Sequence, residues 1–181
     1  PIPQIKDMAH KLRRIGLGLM GWADMLAQLG IPYNSDEGIK LAEMIMKFIQ
    51  DTAWDESQRI SRAKDEFPLW KNSYFNSKNN PFHKKTKVRN IAVTTIAPTG
   101  TISMIADCTS GVEPYFALEY TNNVVAKDGL KYTNKYYQEA LKKAQPFMTK
   151  RPSLTKFLRD IFPTAHTISP YFHVRMQAAF L

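Results

Sequence analysis

The chain holds a single cysteine, Cys108, in 181 residues. An internal disulfide framework is therefore excluded, and a lone thiol suits a reducing compartment, so a cytoplasmic location is expected. No apolar run approaches the ~20 residues needed to cross a bilayer, and the opening PIPQIKDMAHKL is too polar for a signal peptide. Internal repeats and low-complexity tracts are absent. His10, His83, His166 and His173 lack cysteine or carboxylate partners at ligand spacing, which speaks against a metal site. No serine, histidine and acid fall at the spacing of a hydrolase motif. Zinc-finger, homeodomain and aromatic RNA-binding patterns are missing as well.

What is present describes one ordinary globular core: 44% hydrophobic and 23% charged residues in a length that suits one domain. The net charge of +9 gathers in HKKTKVR (83–89) and between Lys142 and Arg151. Such runs read first as a solvated face with some steering of a phosphorylated ligand. A basic, non-enzymatic nucleic-acid-binding module is the alternative.

The stretch RRIGLGLMGWADML (13–26) carries Gly16, Gly18 and Gly21 at the G-x-G-x-x-G spacing of a dinucleotide-binding turn. That motif needs a buried strand before it, and QIKDMAHKLRRI is not one. Leu12, Ile15, Leu19, Trp22, Leu26 and Leu29 recur at steps of three and four, which predicts one amphipathic helix from about Ile5 to Leu29 running through the glycines. Glycine inside a helix costs roughly 0.8–1 kcal/mol against alanine, so the three are read as packing positions rather than an NAD site. Gly30 and Pro32 would stop this helix. Ser35 would cap a second one reaching about Lys64, with Asp36 and Glu37 as first-turn acids and Ile39, Ala42, Ile45 or Met46, Ile49 and Ala53 facing inward.

The segment 67–85, rich in Asn, Ser, Pro and aromatics, reads as a long loop. KVRNIAVTTIAPTG then turns β-branched, and 88–96 is predicted as a buried strand. A turn or two of helix follows at TISMIAD, then a second strand candidate at 114–124, a short helix at 134–144, and further short helices between prolines, the last starting near Tyr171. The fold class expected is α/β with a helix-rich N-terminal half. Its parts are a helical hairpin (1–66), a loop (67–87), and a strand, loop, strand and helices (88–181).

The stretch with chemical content is APTGTIS (97–103). A strand that ends in a tight turn and opens a helix presents several unpaired amides, which favour an anion. Gly100 lets a ligand approach the backbone, while Thr99, Thr101 and Ser103 add hydroxyls. The lysine and four-residue gap of the ATP-binding P-loop are missing. On residues alone, a phosphate site and a merely capped strand-to-helix turn stand about equal.

RRIGLGLMGWADMLAQLGIPYNS, RNIAVTTIAPTGTISMIADCTSGVEPYFALEY and HVRMQAAF resemble, in order, landmarks of the large catalytic subunit of ribonucleotide reductase, most closely the adenosylcobalamin-dependent class. The resemblance implies a segment of a ten-stranded α/β barrel. It implies an oxidoreductase that makes deoxyribonucleotides for DNA replication by thiyl-radical reduction of the ribose 2′-hydroxyl. It also implies a ribonucleoside di- or triphosphate substrate, adenosylcobalamin as cofactor with no contact residue identified here, and a homodimer of the full enzyme. The loop matching Pro98, Thr99, Gly100, Thr101 and Ile102, with Ser103 adjoining, would hold the substrate phosphates, and the segment matching 13–26 would be helical.

The family's radical cysteine, its redox cysteine pair, and the asparagine and glutamate beside the radical have no counterpart here. No catalytic residue is therefore expected. Cys108 falls outside that set and is read as an inert thiol, and Glu113 in GVEP as structural. With Pro1 first and HVRMQAAFL stopping within an apolar helical pattern, the chain is expected to be an internal segment. It would need the remainder of a reductase, or a complementary fragment, for activity.

Overall fold

Helices dominate the residues that the computed structural model describes, namely 2–77, 86–122 and 130–181. The chain divides into two units, Pro1–Gly18 with Ile45–Ile96, and Leu19–Met44 with Ala97–Leu181.

In the first unit, α1 (Pro3–Leu12) starts on a proline, whose missing N–H costs nothing at a helix start. It ends at Arg13, which turns left-handed (φ 50°) and donates its N–H to Ala9. The helix expected to run from Ile5 to Leu29 is therefore broken. Residues 13–18 leave the helix and lie parallel to the 91–95 stretch, with Leu17 bridging Thr94. The amides of Ile15 and Leu17 donate to Ala92 (3.1 Å) and Val93 (2.9 Å), and Thr95 returns a bond to Leu17 (2.9 Å). Pairing across the chain satisfies the backbone without the helix penalty of the glycines. A Cβ on Gly18 would stand 2.3 Å from the Thr95 carbonyl oxygen, and one on Gly16 2.5 Å from Thr95 Cγ2. Gly16 and Gly18 are packing positions, as expected, but they admit a neighbouring extended segment rather than a helix.

The predicted strand at 88–96 is accordingly an extended segment with one regular bridge. Its Val88 and Val93 are fully buried. Phe67, Trp70 and Val88 form the core of this unit, with Trp54, Leu69, Phe75 and Ile91 against it. The expected loop thus begins as core, through two short 3-10 turns at Trp70–Asn72 and Tyr74–Asn76. Its remainder, 78–85, with His83 and the first part of the basic run, lies outside the described residues.

Helix α3 (Asp36–Lys64) begins where Ser35 caps it, Gly38 N–H donating to Ser35 Oγ at 3.0 Å. Its first part belongs to the second unit and the remainder to the first. The inward positions expected from the sequence include the buried Ile39, Ala42 and Met46.

The second unit opens with α2 (Trp22–Leu29), flanked by Gly21 and Gly30, both left-handed. Then come α4 (Gly100–Ala106), the antiparallel hairpin β1 (Glu119–Asn122) and β2 (Leu130–Thr133), α5 (Lys135–Met148), α6 (Ser153–Ile161) and α7 (Pro170–Ala179). The second strand candidate shrinks to β1. Tyr115 forms a separate parallel bridge with Thr164, and 123–124 lie outside the described residues. Trp22 packs edge-on against Phe180 at 5.0 Å, and Tyr115 stacks on Phe162. Among the described residues, β structure amounts to this hairpin and two isolated bridges. No described helix is long and apolar enough to cross a membrane.

Candidate functional site

The sequence places Pro98, Thr99, Gly100, Thr101, Ile102 and Ser103 between the extended 91–96 segment and α4. In the structure Thr99 occupies the position before the helix in a left-handed conformation (φ 53°). Glycine adopts that conformation freely, but for a β-branched residue it is a real outlier. Thr99 does not cap α4 with its side chain. Its Oγ1 instead accepts the N–H of Gly111 at 2.7 Å, which leaves the hydroxyl proton free to donate outward.

A capped strand-to-helix turn would have spent that oxygen on the helix's own amides. Among the described residues, the amides of Gly100, Thr101 and Ile102 meet no acceptor. They are the orphan donors of a helix start, and all three residues are exposed. Pro98 has no N–H to offer.

Ser103 departs from its expected part as a hydroxyl donor. It is buried, its N–H donates to Thr99 O (2.9 Å), and its hydroxyl is shared between Gly100 O and Ser110 Oγ, both at 3.1 Å. It therefore stitches the loop together from within.

A cavity of about 460 Å³ runs along α4, lined by Asp24, Ser103, Asp107, Cys108, Glu113 and Lys135 among others. Three carboxylates face it against one ammonium, and Lys135 Nζ already pairs with Asp107 at 2.5 Å. That hydrogen bond holds the Lys135 pKa up. Gly100 belongs to the same lining, so the carboxylates weigh against an anion deep in the cavity while the amides of Gly100–Ile102 favour one beside it.

Cys108 is half-buried. Burial pushes its thiol up first and the charge of Asp24 adds to this, so it is held as a thiol. The GVEP turn is tied to Tyr33, which donates to Val112 O at 2.8 Å, and burial, with the Glu113 charge second, pushes the pKa of that phenol up. Among the described residues no cluster of histidine, cysteine and carboxylate could hold a metal.

Sequence reasoning missed the support behind the loop. Residues 109–111 hold Thr99 and Ser103 from one side and are themselves held by the start of α2: Gly21 N–H donates to Thr109 O (2.8 Å), and Asp24 Oδ2 accepts Thr109 N–H (2.7 Å). The available signal was the third glycine: Gly21 is left-handed at φ 80° and a Cβ there would meet Cys108 at 3.4 Å.

The whole chain, residues 1–181, matches the family described as ribonucleotide reductase, barrel domain. It is 38% identical over 192 residues to a vitamin B12-dependent ribonucleoside-diphosphate reductase of Thermoplasma acidophilum, covering 99% of this chain and 24% of that protein. It is 39% identical over 191 residues to a protein of the same description from Mycobacterium tuberculosis, covering 99% of this chain and 27% of that protein. Among solved structures, the class Id ribonucleotide reductase alpha subunit of Actinobacillus ureae superposes with a TM-score of 0.72 at 21% identity, covering 96% of this chain and 32% of that one. The chain thus spans about a quarter of the length of these sequence relatives, and the structural likeness speaks for the fold alone. The family match leaves the nucleic-acid-binding alternative without support. On the match over its whole length, the chain belongs to the ribonucleotide reductase barrel-domain family.

Proposed function

We propose that this chain is the part of a ribonucleoside-diphosphate reductase that grips the substrate's phosphates, in an enzyme that makes deoxyribonucleotides by thiyl-radical reduction of the ribose 2′-hydroxyl. Diphosphate rather than triphosphate is favoured because the relatives at 38% and 39% identity carry that substrate in their names. The observation that carries the reading is the turn before α4: the amides of three exposed residues, which meet no acceptor among the described residues, beside a Thr99 hydroxyl polarised from behind by Gly111. Gly100, Thr101 and Ile102 would donate main-chain N–H groups to the phosphate oxygens, and Thr99 its hydroxyl. Pro98 and Ser103 would fix the loop's shape.

The 1–181 segment would form part of the family's ten-stranded barrel, working with the rest of a reductase chain in a cytoplasmic homodimer. With Cys108 as its only cysteine and that thiol held protonated, the segment is not proposed to perform the radical chemistry by itself. Adenosylcobalamin is the cofactor proposed for the whole enzyme, after the names of its relatives. The described residues do not fit it. Their cavities along α4 and beside α5 measure about 460 and 480 Å³, within the range of small-ligand pockets, and neither offers a histidine.

The test is Thr101→Glu. A carboxylate planted among the orphan amides would fill the anion position and repel a second anion. Affinity for CDP, measured by titration calorimetry, is expected to fall at least about tenfold. An unchanged affinity would overturn the proposal.

A further inference from the structure

We infer that Asp24 is a positioning residue for the 98–103 loop, acting through residues 109–111 and the Thr99 side chain. The inference rests on the phosphate-binding reading of that loop and adds to it a residue that lies far from it in sequence. Asp24 sits in the first turn of α2 and is 3% exposed. A buried carboxylate is costly unless its oxygens are hydrogen-bonded. An acid at this place in a helix usually serves the helix's own amides from the surface. This one turns away from solvent: Oδ2 accepts the Thr109 N–H at 2.7 Å, and Oδ1 faces the Asn134 side-chain amide at 3.5 Å.

The start of α2 therefore clamps residues 109–111 at three points. The Thr109 peptide is held by its N–H at Asp24 and by its carbonyl at Gly21, and Gly111 O accepts the Trp22 N–H at 3.3 Å. On its other side the clamped segment meets the loop. Gly111 N–H donates to Thr99 Oγ1, Ser110 Oγ lies 3.1 Å from Ser103 Oγ, and a Cβ on Gly111 would stand 2.9 Å from Ala97 O. Thr99 needs such support. A β-branched residue in the left-handed region persists only when its surroundings over-determine it. Released, it would relax toward an ordinary φ and swing the Gly100 and Thr101 amides off their common target.

The requirement is for a carboxylate at position 24. Thr109 N–H and the Asn134 amide are both donors, so an amide at 24 sets one donor against another. Asp24→Asn keeps the volume and breaks the match. Adding Asn134→Asp restores it with roles exchanged, and an aspartate at 134 can still accept the Tyr137 N–H that Asn134 caps at the start of α5.

The experiment uses the intact reductase that carries this segment, with CDP as substrate and thermal unfolding run in parallel. For Asp24→Asn the KM is expected to rise about tenfold with kcat held within about twofold, because folded enzyme still turns over once saturated. Asp24→Asn with Asn134→Asp should bring the KM back toward wild type. Combined with Thr99→Val, Asp24→Asn should add nothing to the KM that Thr99→Val already shows, since both break one path. An unchanged KM, a kcat loss that merely tracks the folded fraction, a failed rescue, or additive effects would each overturn the inference. Thr101→Glu separates the two readings. If it raises the KM while Asp24→Asn does not, only the positioning role falls. If it leaves the KM unchanged, the phosphate site falls and this inference with it.

Discussion

At Gly18 the backbone of residue 95 occupies the space where a side chain would begin, at 2.3 Å. Gly16 differs in kind, because its obstacle is the Thr95 methyl group. The two positions should respond differently to alanine. Gly18→Ala is expected to destabilise the chain by roughly 1–3 kcal/mol, the cost of an added methyl in packed surroundings, and no change at Thr95 should relieve it. Gly16→Ala should be relieved in part by Thr95→Ala, which removes the methyl at 2.5 Å and leaves the Thr95 Cβ at 3.0 Å. Thermal unfolding of the three variants and the double variant checks both statements. Equal behaviour of the two glycines would contradict the close approach. Residue identity alone pointed to close packing here, but the partner was invisible, since 16–18 and 92–95 are joined by pairing across more than seventy positions.

The elements show where local signals suffice. Ser35 caps α3 and Gly30 closes α2 as read from sequence, because caps depend on residues within one turn. The apolar periodicity through 12–29 misled, because it continues across a region where glycine removes the local preference for helix. Tertiary pairing then decided the outcome. The junction of α3 with the extended 88–96 segment rests on Ser57, whose hydroxyl donates to Asn90 Oδ1 (2.9 Å) and accepts the Asn90 N–H (3.1 Å), both residues buried. The Asn90 amide in turn holds the Arg13 carbonyl at the end of α1 (2.8 Å). Ser57→Ala strands two buried polar groups and is expected to cost about 1–3 kcal/mol. A chemical-denaturation midpoint indistinguishable from wild type would show the junction to be held otherwise.

At the scale of the whole molecule, the net charge of +9 is compatible with steering an anion but does not select one. Nucleic-acid binding through phosphates alone weakens steeply with salt. In a gel-shift titration at physiological salt, neither duplex nor single-stranded DNA is expected to be retained by the chain, while CDP binding measured in the same buffer persists. Salt-resistant DNA binding would reopen the basic-module reading. Large apolar side chains such as Met104, Ile105 and Phe116 stay exposed near the α4 cavity.

The sequence by itself determined the family, the place of the candidate loop, the end of α2 at Gly30, the Ser35 cap of α3, and the lack of a redox cysteine pair. Each of these is written in contiguous residues or in composition. Only the tertiary structure decided that 13–18 pairs with a distant segment instead of continuing a helix. It also decided that the Ser103 hydroxyl is spent internally and that Asp24 reaches the loop through Thr109 and Gly111. These depend on which atoms meet after folding, and hydrogen bonds between residues 24 and 109, or 99 and 111, leave no periodic trace along the chain.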